Sequence, residues 1–184
     1  MLLWRVFPFR EDARSASEPG HPLYLNPRQG TGRWDNPHLT ALMYLAEQPS
    51  GAVGEAFANL TSWSPRMFSF PMIPSAVRRL GTYRVDEAGH PACDLDDPNT
   101  LVRLAVRPTQ VVARNRPFTQ GLAARIHAEQ AWAGIRWWSY HRPQWTLRAL
   151  WDRATLTCES VEDLDDHPAL DDAATELAKH RLDP

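Results

Sequence analysis

The stretch Leu39–Thr61, "LTALMYLAEQPSGAVGEAFANLT", joins a short apolar run to a helical period, and its reading decides how the chain is built. Leu39–Ala46 is apolar and short, the pattern of a buried strand. From Pro49 to Thr61 the spacing predicts a helix: Val53, Ala56, Phe57 and Leu60 fall at i, i+3, i+4 and i+7 and make one apolar face. Glu55 points almost opposite that stripe, so its local reading is a solvated glutamate.

Upstream, Leu2–Phe7 reads as a first strand stopped by Pro8. A loop rich in Pro, Gly, Ser and charge follows to about Gly32, long enough to read as a functional loop and placed to serve as a lid before Arg33. Downstream, Leu80–Val85 reads as a strand and Asn99–Ala105 as a short helix after Pro98. Thr119 is the expected cap of a helix to about Gln130, with Leu122, Ala123 and Ile126 inward. "GIRWWSY" (134–140), "TLRALWD" (146–152) and Leu156–Val161 read as strands, with Pro143 in the loop between the first two. A last helix is expected from Pro168 to about residue 182, striped by Leu170, Ala173, Ala174, Leu177 and Ala178 and ended by Lys179, His180 and Arg181. Strands and helices mix without regular βαβ alternation, which predicts an α+β fold.

The 184 residues suit one domain, and 43% apolar with 23% charged residues is ordinary for a globular chain. A net charge of −2 gives no electrostatic case for nucleic acid or an acidic membrane. Eight tryptophans suit a deep core or an aromatic-lined pocket. Cys93 and Cys158 have no metal-type spacing and read as thiols of a reducing compartment. The N-terminal run is too short and too charged for a signal peptide, and no segment approaches a membrane span, so the expected location is cytoplasmic.

The chain contains no GxGxxG, phosphate-binding GxxxxGK[ST], GxSxG or HExxH motif. Its seven histidines show no ligand spacing, so no metal is expected and any chemistry falls to Arg, Glu, Ser and Tyr. "TGRWDNP" (31–37) sets Arg33 beside Trp34 between turn-forming Gly32 and Pro37, as a surface corner with an arginine on an aromatic face or as a fork for an anion. Ser139 reads equally as a strand-end hydroxyl, and Tyr44 as a core aromatic. Arg5, inside "LLWRVF", requires an exposed face or a buried partner.

Together these segments resemble the RES domain family. Arg5-Val6 matches its first strand and "GRWDNP" its Gly-Arg-Trp turn. In "YLAEQPSGAVGEAF", Tyr44 and Glu55 stand at the family's spacing of eleven residues. Thr119-Gln120 matches a helix start, and "GIRWWSY" a strand ending in serine at Ser139. The resemblance runs from about residue 4 to 153 and departs at Trp138, where proline is common, at His141, where arginine is common, and at Leu147, where asparagine is common.

The resemblance implies an ADP-ribosyltransferase-like fold, with a split, mostly antiparallel sheet flanked by helices in one domain over 1–184. It implies NAD+ as substrate, consumed by hydrolysis or phosphorolysis of the nicotinamide–ribose bond; the alternatives are ADP-ribose transfer to a protein and a non-catalytic nucleotide-binding module. Many relatives are toxins paired with a helix-turn-helix (Xre-type) antitoxin, the protein partner expected here; a homo-oligomer is compatible with the sequence. Carried over residue by residue, Glu55 stabilises the oxocarbenium-like ribose, and Arg33 and Arg5 hold the pyrophosphate. Tyr44 packs on nicotinamide or ribose, Ser139 bonds the amide or ribose, and Gln120 belongs to the same shell.

Overall fold

The computed structural model describes residues 1–151 and 154–182. Asp152, the end of the expected strand "TLRALWD", and Arg153, the end of the resemblance, lie outside the described residues, as do Asp183 and Pro184. The elements in chain order are β1 (Leu2–Phe9), β2 (Leu42–Ala46), α1 (Pro49–Phe57), β3 (Ser62–Trp63), β4 (Val77–Val85), β5 (Ala92–Asp94), α2 (Pro98–Leu104), α3 (Pro108–Val112), α4 (Arg116–Ala128), β6 (Gly134–Trp138), β7 (Thr146–Trp151), β8 (Leu156–Glu162), α5 (Pro168–Glu176) and β9 (His180–Arg181), with a 3-10 turn at Pro65–Phe68. The class is α+β with mostly antiparallel pairing, as expected. The contacts divide the chain into two compact units, each assembled from separated stretches.

The first unit holds Met1, Leu25–Leu45 and Val85–Thr155. Its strands follow the order β5-β6-β7-β2. β5 runs parallel to β6 through Cys93↔Ile135, and β6 antiparallel to β7 through Trp137↔Leu147. Trp34, Trp137, Trp145 and Trp151 are buried there with Leu42, Ile126 and Ile135, so the tryptophan excess goes largely into core. α4 starts three residues before Thr119: Asn115 is the cap and accepts from the Phe118 amide at 3.2 Å, while buried Thr119 sits in the first turn. Asparagine is the better cap, and Pro117 suits the first turn behind it. Leu122, Ala123 and Ile126 face inward as the spacing predicts.

The second unit holds Leu2–Tyr24, Ala46–Arg84 and the chain from Leu156 onward. β1 pairs antiparallel with β4 along its length, from Leu2↔Arg84 to Phe9↔Val77, and the order is β1-β4-β8. Pro8 does not stop β1; it pairs opposite Arg78. A proline removes only its own N–H, and a strand passes through it where the ladder does not need that donor.

α1 ends at Phe57, four residues before the expected end. Its buried face is Ser50, Val53, Gly54 and Phe57, with Gly51 and Ala52 also buried, while Ala56 and Leu60 are exposed. The apolar stripe is therefore rotated from the expected one, because small residues let the helix pack against both α5 and β1. α5 also ends early, at Glu176, where Ala178 turns left-handed at φ 50°. Lys179, His180 and Arg181 thus do not close the helix. His180 and Arg181 form β9, parallel to Ser62 and Trp63, and the Lys179 ammonium donates to the Leu60 carbonyl at 2.7 Å. No helix among the described residues is long and apolar enough to cross a membrane.

Candidate functional site

The turn at 31–37, in the first unit, is organised around a carboxylate. Asp35, 5% exposed, accepts the Gly32 amide at 2.6 Å through Oδ2 and the Tyr44 hydroxyl at 2.7 Å through Oδ1. The Tyr44 hydroxyl oxygen in turn accepts the Trp34 amide at 3.0 Å. A Cβ on Gly32 would lie 2.5 Å from Asp35 Oδ1 and 2.6 Å from the Tyr44 hydroxyl, so only glycine leaves room for this closure. Burial, reinforced by the hydrogen bond to Asp35 and its negative charge, pushes the Tyr44 phenol well above the ordinary tyrosine range. It is therefore a fixed neutral donor.

A second layer braces the turn from α4. The Gln120 side-chain amide donates to the carbonyls of Gly30 and Gly32, both at 3.0 Å. Asn36 donates to Trp34 O at 3.1 Å and to Gln120 O at 2.9 Å. Arg116 Nε donates to Thr31 O at 3.1 Å. Wholly buried Trp34 meets Trp137 edge-on with ring centres 5.4 Å apart, and Tyr44 meets the same ring at 6.2 Å. Arg33, half-buried, donates from Nη1 to the carbonyls of Val111 at 2.9 Å and Ala113 at 2.6 Å. Those carbonyls end α3, where a guanidinium satisfies acceptors the helix leaves open.

Ser139 stands one residue beyond β6 and is wholly buried. Its amide donates to Trp145 O at 2.8 Å, and its hydroxyl accepts the amides of His141 at 3.0 Å and Arg142 at 3.3 Å. The serine thus folds the β6–β7 connection over itself. Next to it, exposed Tyr140 carries Arg114 over its ring at 5.4 Å and His141 edge-on at 5.5 Å.

Arg5 and Glu55 belong to the second unit. Arg5 is half-buried opposite Gly81 on β4, with its guanidinium 5.8 Å from the Phe7 ring centre. It donates to Tyr24 O at 3.4 Å, and Tyr83 donates to Pro22 O at 2.9 Å. Burial lowers the Arg5 pKa, and the neighbouring Tyr83 hydroxyl opposes that shift. The Gly81 position is closed to any side chain, because a Cβ would lie 2.8 Å from the Tyr83 ring and 2.9 Å from Phe7. Arg5 and Tyr83 therefore pin the end of the loop that starts at Arg10, which is itself closed by Arg10 N to Gly20 O at 3.1 Å. Glu55 is exposed on α1, away from the buried face, as its spacing predicts.

Of the residues selected from sequence, the fold gathers Arg33, Tyr44 and Gln120 onto one turn, with Ser139 two residues past Trp137, on which Trp34 and Tyr44 pack. Sequence reading passed over Asp35 and Arg116. Asp35 lay inside the quoted turn, where an aspartate capping nearby amides is a recognisable signal. Arg116, eighty-five residues from Thr31, had none. Among the described residues, no group of three or more His, Cys, Asp and Glu side chains is arranged to hold a metal.

The fold is shared with a solved structure. The chain is similar to a chain of the crystal structure of the M. tuberculosis MbcT–MbcA toxin–antitoxin complex, with a TM-score of 0.64, covering 97% of this chain and 89% of that one. Identity is 19%, so the likeness is one of fold. No curated protein matches the sequence. The family model of the RES domain matches residues 2–172, and on that match the chain belongs to the RES domain family.

Proposed function

We propose that this protein consumes NAD+, breaking the nicotinamide–ribose bond by hydrolysis or phosphorolysis, as the toxin of a toxin–antitoxin pair. Family membership across residues 2–172 carries the reading. The fold shared with a chain of a toxin–antitoxin complex supports an antitoxin partner, for which a helix-turn-helix protein is the expected type.

Departure of nicotinamide builds positive oxocarbenium character on the ribose, and a carboxylate at its hydroxyl edge lowers that barrier. Glu55 takes this role. It is exposed on a helix whose opposite face is buried, so the backbone beneath it is held while the carboxylate remains accessible. Nicotinamide leaves as a neutral molecule from a cationic ring, which reduces the need for a general acid. Arg33 and Arg5 supply guanidinium groups for the pyrophosphate. For Arg33, Nη1 serves two carbonyls, so the guanidinium is held in place and its contribution to the ligand comes through its charge. The roles of Arg5 and Glu55 rest on the family's residue pattern.

The deciding experiment incubates purified protein with NAD+, with and without inorganic phosphate, and follows free nicotinamide against a Glu55→Ala control. Release in both conditions makes the protein a glycohydrolase, and release only with phosphate makes it a phosphorylase. Release with ADP-ribose found on protein makes it a transferase. No release above the control removes the catalytic reading and leaves a nucleotide-binding module.

A further inference from the structure

We infer that Asp35 is a positioning residue for Arg33, and that the Tyr44 hydroxyl serves this carboxylate rather than the ligand. The inference rests on the NAD+ reading above for its kinetic consequence, and on geometry alone for its structural one. Arg33 lies between the two amides that this network captures. The Gly32 amide is held by Asp35 Oδ2 at 2.6 Å, and the Trp34 amide by the Tyr44 hydroxyl oxygen at 3.0 Å. The Tyr44 hydroxyl donates in turn to Asp35 Oδ1 at 2.7 Å, so both captures end on one buried carboxylate. The backbone on either side of Arg33 is thereby fixed, and the side chain leaves the turn in one direction, toward the carbonyls of Val111 and Ala113.

The chemistry of the pair is specific. Asp35 accepts two charge-assisted hydrogen bonds, and an asparagine accepts only one, because its amide nitrogen turns a donor toward the other donor. Tyr44 is kept neutral by burial first and by Asp35 second, so its hydroxyl remains a donor above the pH at which an ordinary tyrosine ionises. With its oxygen also accepting from Trp34, the hydroxyl has its donor and one acceptor site filled within the turn.

The test compares wild type, Asp35→Asn, Tyr44→Phe and the double variant in nicotinamide release, with folding checked by thermal melting. Loss of one charge-assisted bond on the order of 1.4 kcal/mol corresponds to about tenfold. The expected result is a KM for NAD+ raised about tenfold in each single variant with kcat within about twofold. The double variant should be no worse than the worse single, because both act through one carboxylate. An unchanged KM in folded Asp35→Asn overturns the inference. So does an additive double variant, which would make Tyr44 an independent ligand contact. If Asp35→Asn does not fold, Tyr44→Phe, which keeps the ring against Trp137, carries the same test.

A readout without NAD+ separates the two claims. In wild type the Gly32 and Trp34 amides should be protected from hydrogen exchange, with the Gly32 proton resonance far downfield from its carboxylate partner. In Asp35→Asn the downfield shift, which needs the carboxylate, should be lost, together with the protection of whichever amide the single remaining acceptor no longer serves. If wild type releases no nicotinamide while these amides respond as expected, the NAD+ reading fails and the positioning network stands. Unchanged amide protection in Asp35→Asn overturns the network whatever the activity.

Discussion

The turn around Arg33 and the helix that carries Glu55 hold their charges in opposite ways. Arg33 is half-buried and tied by Nη1 to two carbonyls, on a turn locked by Asp35, Tyr44, Asn36 and Gln120. Glu55 projects from the exposed side of a helix whose glycines, Ala52, Val53 and Phe57 are buried. One charge is part of the scaffold, so its removal disturbs structure and chemistry together. The other stands on the solvent side of a helix whose opposite face is buried, so its removal bears chiefly on chemistry.

The largest effect that sharpens this contrast is on activity. Glu55→Ala should lower nicotinamide release by about 10²-fold or more, the size of one lost electrostatic contact to a transition state. Its melting temperature should stay close to wild type, because exposed carboxylates contribute at most about 1 kcal/mol. A large fall in stability would break the comparison. Arg33→Ala should do the reverse as well as lose activity. Removing a guanidinium from two helix-end carbonyls should cost on the order of 2 kcal/mol, read as a lower denaturant midpoint at unchanged slope.

Alkaline titration gives a third measure. The Tyr44 and Tyr83 phenols are both raised above their ordinary value of 10.0, chiefly by burial. A group whose folded pKa lies above its unfolded one holds more protons when folded at high pH. Its stabilisation is therefore complete below about pH 10 and is lost progressively as pH rises toward the folded value. Stability of the wild type should fall above about pH 10, and Tyr44→Phe should flatten that fall. Tyr83→Phe should cost about 1 kcal/mol by releasing Pro22, with increased tryptic cutting at exposed Arg14 in the loop it pins. The smallest effect concerns a helix end outside the Arg33 turn and outside α1. Ala105 ends α2 in the left-handed region at φ 54°, so Ala105→Gly should stabilise by roughly 0.5–1 kcal/mol with activity unchanged.

Much of the scaffold was legible because local periodicity and burial agree. The strand expected at Leu39–Ala46, which forms from Leu42 onward, the inward face of α4 and the outward position of Glu55 all follow from the sequence pattern. Two of the larger misses share a cause. β1 passing through Pro8, and His180 and Arg181 leaving the helix, were decided by partners far away in sequence. β4 supports Pro8 from opposite Arg78, and β3 supplies the ladder that draws His180 and Arg181 out of helix. The site divides likewise: Tyr44 and Gln120 were visible by motif, but not that both would serve the turn.

By itself the sequence determined the class of the fold, the family and the residue types available for chemistry, because period and motif order are properties of the chain alone. What each polar atom does was decided only by tertiary structure. Most buried donors and acceptors are paired, and the pairs here join residues as distant as Arg33 with Val111 and Gln120 with Gly32. That pairing made Asp35 the centre of the turn, bound Arg33 to the end of a helix, and buried Ser139 inside the loop it organises.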